Sequence, residues 1–301
     1  MKNRSQFRVP ASTANLGAGF DALSLALDRY LTITVEPSPA LEIVPSGIES
    51  EKIPRDATNL IYRVAARVAE HRQRSLPPFR MSIHNEIPLA RGMGSSASAI
   101  IAGIQCYELL LDDALDEVEL FQRAFEFEPH PDNLAAALYG GLISAAVDAR
   151  GRTLVARLKP AEGAQGIVVI PSFELSTEKA RGVLPASYSR ADAVFNLQRS
   201  AMTIAAMTTG KWELLREGMR DRIHQPYRAK LIPGLEEILD LDLPGLFGIA
   251  LSGAGPTVFA MAAPARAEAV GHAIVAVFEK NGVSAASHPV RVDRTGLVAL
   301  V

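Results

Sequence analysis

Cysteine is nearly absent: Cys106 is the only one among 301 residues. A single thiol excludes an internal disulfide framework and a multi-cysteine zinc site. Its place in an apolar helical run predicts a buried, inert thiol. Neither sign of charge is in surplus. The net charge of −2 argues against a nucleic-acid binder, which carries a basic surplus. No uncharged apolar run reaches membrane-spanning length, and residues 1–6 carry no apolar core of a signal peptide, so a cytoplasmic location is expected. Repeats and low-complexity tracts are missing. So are several catalytic signatures. The pair Gly210-Lys211 is followed by Trp212, so there is no Walker A motif. No Gly-x-Gly-x-x-Gly opens a βαβ unit, no His-Glu-x-x-His marks a zincin, and no Gly-x-Ser-x-Gly marks a nucleophile elbow.

What is present is a globular composition, 48% hydrophobic and 21% charged, long enough for two ordinary domains or one large one. Alternation predicts strands at 5–11, 31–35 and 79–83, with 41–44 as a partner of the second. Helical spacing predicts 59–71, capped by Asp56 or Thr58, then a buried helix over 96–111 and an amphipathic one over 116–127. Asp132 or Asn133 is placed to cap a short helix over 134–138. Strands at 142–147 and 153–158 follow as a pair. A second domain is predicted from about Lys159-Pro160. It holds a strand at 167–170, helices at 176–181, 191–208, 212–219 and 233–239, a hairpin of 247–252 with 258–262, a helix over 265–280 and a strand at 285–292. The polar stretch 221–228 reads as a solvated helix end. Helices on an antiparallel sheet make this half α+β.

Three small, glycine-bearing segments interrupt the apolar chain, at 10–21, 88–98 and 252–256. The middle one is Pro88, Leu89, Ala90, Arg91, Gly92, Met93, Gly94, Ser95, Ser96, Ala97 and Ser98. Its glycines let backbone approach a ligand, and its serines stand where a helix starts, where free N–H groups and the helix dipole favour an anion. Two readings fit these residues: a phosphate cradle, or a glycine turn capped by serine. A second dense cluster is 126–133, with Glu126, Glu128, His130, Asp132 and Asn133 stiffened by two prolines. It reads either as a helix–loop–helix corner or as a metal-assisted site.

In order along the chain, Pro10 to Asp21, Pro88 to Ser98 and Leu251 to Thr257 resemble the three motifs of the GHMP small-molecule kinases, and the match covers nearly the whole chain. The first motif with Asn15 and Asp21, together with His130-Pro131-Asp132-Asn133, is similar to the branch that phosphorylates the amino acid homoserine. The resemblance implies an α+β two-domain GHMP kinase fold. Its N-terminal ATP-binding domain (1–160) would be like domain 2 of ribosomal protein S5, with a left-handed crossover, and its C-terminal domain (161–292) ferredoxin-like, the last strand (about 293–301) returning to the first domain. It implies ATP as phosphoryl donor, bound by the segment 88–98, and Mg²⁺ held by Glu128 and Ser96, with Glu126 as a competing ligand. It implies L-homoserine as substrate, bound by Asn15, Asp21, His130, Arg181, Arg228 and Gly253, with Arg228 preferred to Arg222. Asp21 can pair with an ammonium and an arginine can grip a carboxylate by two bonds. Asn133 stands where mevalonate kinase, a relative, has an aspartate, so it would orient the hydroxyl and no general base is assigned. Two positions depart from the pattern: Ala18 replaces a usual Pro, and Pro129 a usual Gly before the histidine. A homodimer is implied by analogy. Other GHMP substrates (mevalonate, a diphosphocytidyl polyol, shikimate) and a non-catalytic ligand sensor are the competing expectations.

Overall fold

Two sheets are built from the alternating and β-branched segments in a computed structural model that describes residues 4–300. In chain order the first half runs β1 (Ser5–Ala14), β2 (Leu23–Pro37), β3 (Glu42–Gly47), α1 (Leu60–His71), β4 (Phe79–Asn85), α2 (Ser95–Leu111), α3 (Glu117–Phe125), α4 (Pro131–Tyr139), β5 (Leu142–Val147) and β6 (Thr153–Leu158). The second half runs β7 (Gln165–Pro171), α5 (Thr177–Gly182), α6 (Arg190–Thr209), α7 (Leu215–Gly218), α8 (Gln225–Arg228), α9 (Leu235–Leu239), β8 (Leu246–Leu251), β9 (Val258–Ala262), α10 (Ala267–Lys280) and β10 (Ala285–Val290), and β11 (Val298–Leu300) ends the chain.

The first sheet has the order β11-β1-β2-β4-β3, with β5 joined to β2 and β6 to β5. The strand β2 serves two neighbours: Leu31–Pro37 pairs with β4, and Leu23–Leu25 pairs with β5. Its first half lies outside the expected strand 31–35. Residues 23–27 are buried without interruption, which erases the alternation that marks a half-exposed strand. The expected partnership of 41–44 with 31–35 is corrected as well. β3 runs parallel to β4 instead, because α1 carries the chain across the sheet between them and a parallel pair needs such a crossover. The cap of α1 is Asn59, whose side chain accepts from Ile61 N, not Asp56 or Thr58. Pro131 occupies the first turn of α4, where a missing N–H costs nothing, so Asp132 and Asn133 lie inside that turn and do not cap it.

The second sheet has the order β10-β7-β9-β8 and is antiparallel throughout. Numbered within a β-α-β-β-α-β unit this is 4-1-3-2, the ferredoxin-like arrangement. Both faces are buried, and alternate residues of one strand enter different cores. Phe259 and Met261 of β9 join the core of the first half, whereas Val258, Ala260 and Ala262 join the core beneath α9 and α10. After β10 the chain crosses back, and β11 pairs with β1 through Phe7 and Ala299. Among the described residues no helix is long and apolar enough to cross a membrane. Cys106 is fully buried in α2, and burial pushes its thiol pKa up.

Helices α1 and α2 pack closely because α2 has a glycine at the crossing. A Cβ on Gly103 would stand 2.6 Å from Val64 Cβ and 2.7 Å from the Ile61 carbonyl oxygen. Gly103→Ala gains about 1 kcal/mol of helix propensity, but overpacking against backbone costs about 1–3 kcal/mol. The second effect is expected to win, lowering the urea midpoint and Tm of the variant. A midpoint equal to or above that of the unsubstituted chain contradicts the close crossing.

Candidate active site

Three turns meet at one cavity, and each is set by backbone that only glycine or a strongly held residue adopts. The first turn leaves β1 at Ala14 and holds Asn15, Leu16, Gly17 and Asp21 at positive φ. Asn15 uses both ends of its amide: Nδ2 donates to the Gly253 carbonyl at 2.9 Å, and Oδ1 accepts from Asp21 N at 3.0 Å. It therefore fastens the first turn to the third. The second turn carries Ala90, Gly92 and Gly94 at positive φ and enters α2 at Ser95 with no side-chain cap. The first-turn N–H groups of α2 are thus left for an anion. The third turn, 252–257, is sewn to both others. Ser252 Oγ lies 2.7 Å from the Gly92 carbonyl and 2.9 Å from Thr13 Oγ1, Gly253 N donates to Ala14 O, and Thr257 N donates to Arg91 O.

The cavity they enclose measures about 280 Å³ and takes in nearly every expected site residue. Asn15, Asp21, Ala90, Gly92, Gly94, Ser95, Ser96, Ala97, Glu128, His130, Asn133, Arg181, Arg228 and Gly253 all line it. A second, largely apolar cavity of about 240 Å³ lies on the other side of Ser95 and Ser96, walled by residues such as Ile53, Pro54, Leu60, Ile87 and Leu89. Part of 88–98 lies behind the wall. Pro88 and Met93 are buried, Ser98 Oγ donates to the Pro10 carbonyl at 2.8 Å, and Arg91 turns away to Glu49. These residues hold the turn and do not face the first cavity. Of the two competing carboxylates, Glu128 lines the cavity and meets His130 Nδ1. Glu126 is engaged elsewhere by Arg67 at 2.9 Å and Arg123 at 2.7 Å.

Charges in the wall are arranged in two layers. In front, Arg181 grips Asp21 with two bonds, Nη2 to Oδ1 at 2.6 Å and Nη1 to Oδ2 at 3.2 Å. Behind, the stretch 221–228 is corrected from a solvated helix end to a buried polar cluster: Asp221, His224, Gln225 and Arg228 are all buried. Asp221 accepts from the backbone N–H groups of Ile223, His224 and Gln225 and from Asn196 Nδ2. Arg228 donates to the carbonyls of Ala180 at 3.1 Å and Gly253 at 3.0 Å, and Nη1 lies 3.2 Å from His224 Nδ1. His224 Nε2 lies 2.8 Å from the Gly17 carbonyl. A carbonyl only accepts and a guanidinium only donates, so the imidazole is neutral with its proton on Nε2. Burial, which lowers the His224 pKa, agrees. Burial and the nearby Arg181 lower Arg228 to about 10, leaving it charged at neutral pH. Phe20 stacks on His224 and faces both arginines, 5.4 Å from each guanidinium.

Sequence reasoning missed several of these groups. Ser12 Oγ lies 2.7 Å from Asn133 Oδ1 and fixes that amide; its place in the segment 10–21 gave no sign of this partner. His224 sits four residues before Arg228, a spacing that places both on one side of a helical turn, and that was its only signal. Asp132 lines the cavity although its residue is 2% exposed. Burial, and after it the charge of Asp21, raises its carboxyl to about 7.

The chain is similar to known proteins over nearly its whole length. Residues 59–141 match the family described as GHMP kinases N terminal domain, and residues 203–280 match GHMP kinases C terminal. Homoserine kinase of Solibacter usitatus is 47% identical over 251 residues, 83% of each chain. That of Deinococcus radiodurans is 44% identical over 293 residues, covering 97% of this chain and 95% of the other. The crystal structure of homoserine kinase from Cytophaga hutchinsonii superposes with a TM-score of 0.84 at 26% identity, over 100% of this chain and 98% of that one. A crystal structure of mevalonate kinase, at 16% identity and a TM-score of 0.67, shares the fold.

The raised carboxyl of Asp132 makes stability depend on pH. Unfolded, this aspartate loses its proton near pH 4; folded, it keeps it to about pH 7. Between these values the folded state binds more protons, so stability falls as pH rises, and the contribution is gone above the folded pKa. Urea midpoints of the unsubstituted chain are expected to fall relative to those of Asp132→Asn from about pH 4 to about pH 7, then to run parallel. A constant difference across that range contradicts a neutral Asp132.

Proposed function

The chain belongs to the GHMP kinases, among the homoserine kinases, and on that premise we propose that it moves the γ-phosphoryl group of ATP to the side-chain hydroxyl of L-homoserine, giving O-phospho-L-homoserine for threonine biosynthesis in the cytoplasm. One observation carries the choice of substrate. Asp21, Arg181 and Arg228 line the same cavity as the Gly92–Ser96 turn, so an anion and two cations stand within reach of the phosphate cradle. An amino acid needs this pairing for its ammonium and carboxylate, whereas mevalonate, shikimate or a polyol has no ammonium to read. Intact phosphate-turn serines and Glu128 weigh against a non-catalytic sensor.

Phosphoryl transfer asks for in-line placement and charge neutralisation more than covalent chemistry. Backbone N–H groups of Gly92 to Ser96 and the start of α2 hold the phosphates, and the apolar cavity beyond Ser95 accepts the nucleoside. Glu128 and Ser96 both line the cavity and carry oxygen ligands. They suit Mg²⁺, which takes one or two carboxylates besides phosphate oxygens and waters and supplies charge neutralisation when bound. Among the described residues no cluster of three or more acidic, His or Cys groups that could hold a metal ion is present. Asp21 takes the substrate ammonium and the two arginines its carboxylate, with His130 and Gly253 beside them. Asn133, its Oδ1 engaged by Ser12, offers Nδ2 to the hydroxyl oxygen. An amide takes no proton at neutral pH, so the hydroxyl proton leaves to a phosphate oxygen or to water.

ADP release measured against a panel of hydroxyl compounds tests the reading: turnover is expected with L-homoserine. Turnover on mevalonate, shikimate or a polyol without it refutes the proposal. Arg181→Met removes a charge-assisted contact worth about 1.5–3 kcal/mol, so kcat/KM for homoserine is expected to fall roughly 10- to 100-fold. Unchanged kcat/KM removes Arg181 from the site.

A further inference from the structure

Arg91 lies in the middle of the phosphate turn yet faces away from the cavity, its side chain 11% exposed. Each arm of its guanidinium has a different task. Nη1 donates to Glu49 at 2.7 Å and to the Leu89 carbonyl at 3.2 Å. Nε and Nη2 reach across to the end of β7, donating to the carbonyls of Pro171 at 3.2 Å and Ser172 at 3.3 Å. Two further bonds frame it: Leu175 N donates to the Ala90 carbonyl at 3.1 Å, and Leu89 N donates to Glu49 at 2.8 Å. Lys52 adds a parallel bridge between Glu49 and Glu174. Ala90 itself sits at φ +52, a conformation that an alanine keeps only when its surroundings enforce it. The same segment, 171–182, then continues through Ser176 and Thr177 on the cavity wall to Arg181, which grips Asp21.

We propose that Arg91 is a positioning residue that couples the phosphate turn to the segment 171–182, so that nucleotide and amino acid strengthen each other's binding. The coupling in its second half rests on the homoserine reading above. Beside the first-half contacts of Glu49, the turn keeps its shape through contacts that the second half of the chain supplies. Ordering the turn around phosphates therefore orders the segment that carries Arg181, and the reverse holds because linkage is reciprocal. A lysine keeps the charge but not the fork that reaches four acceptors on different sides.

Hydrogen exchange with and without MgADP tests the coupling without any amino acid present. In the unsubstituted enzyme MgADP is expected to slow amide exchange over both 92–98 and 172–182 by about threefold or more. In Arg91→Met the slowing is expected to persist at 92–98 and to vanish at 172–182. Arg91→Lys is the milder second variant and is expected to behave likewise. Full slowing of 172–182 in either variant, or none in the unsubstituted enzyme, overturns the proposal. Calorimetry then asks whether saturating L-homoserine tightens MgADP by about fivefold or more, a factor expected to fall to about one in both variants. If it survives in them the proposal also fails. An enzyme whose 172–182 segment responds to MgADP as described but which shows no homoserine-dependent ADP release sinks the substrate reading alone.

Discussion

The cavity depends on how closely two backbones can approach. A Cβ on Gly92 would stand 2.2 Å from the Ser252 carbonyl oxygen, and one on Gly94 would stand 2.1 Å from Ser12 Oγ. No side chain fits in either gap, and both residues also sit at positive φ, where L side chains are strained. This contact draws together turns that lie far apart in sequence, and the hydrogen bonds of Ser252, Gly253 and Thr257 then fix their register. A phosphate needs several N–H groups aimed at one point. On the proposed reading, the close approach fixes the turn that carries those donors.

Behind the contact, the fold tolerates a buried arginine because its partners are chosen by charge and by direction. An unpaired buried cation is costly. Arg228 is satisfied by two carbonyls and by a neutral imidazole, whose own proton is fixed by the Gly17 carbonyl. Asp221 balances the cluster from within, its oxygens filled by backbone N–H groups. The arginine is therefore held rigidly, and its rotamer entropy has been spent in folding, not in binding. Phe20 completes the arrangement by lying against both guanidinium groups and His224, which anchors the first turn to the same cluster.

Much of this was readable in the residues. Period-two and period-3.6 patterns located nearly every element, because a one-sided core imposes those periods. They failed where burial is two-sided, as in the first half of β2, and where pairing depends on a crossover, as for β3. The three glycine-bearing turns and the polar residues Asn15, Asp21, Glu128, His130, Asn133, Arg181 and Arg228 were legible because the motif carries them. Cluster 221–228 was not, since charged residues at that density usually face water and only the tertiary structure supplies the carbonyls that let them be buried. Ser12 was hidden for a related reason: its partner, Asn133, lies 121 positions away, beyond the reach of any local pattern. Choosing between Glu126 and Glu128 as cavity residues needed the structure too. Two carboxylates two positions apart look alike until α3 ends and turns one toward Arg67 and the other toward His130.

The two arginines of the cavity are unlike, and the difference bears on how a zwitterion is read. Arg228 is buried and held by two carbonyls and an imidazole. Arg181 and Asp21 are each about a third exposed in their side chains, and an ion pair so wetted is worth about 1 kcal/mol or less. Such a pair keeps both charges oriented and balanced, yet it can be exchanged at small cost for the carboxylate and ammonium of an amino acid. A ligand with one charge alone makes half of that exchange and leaves Asp21 or Arg181 to water. In the proposed site, discrimination then comes from the matched exchange, with buried Arg228 as its fixed point. Arg181 is carried by a segment tied at its other end to the turn 88–98, so in the proposed site the more exposed half of the amino-acid grip is the half joined to the nucleotide turn. In the proposed site the buried arginine sets where the substrate sits, and the more exposed one completes the grip.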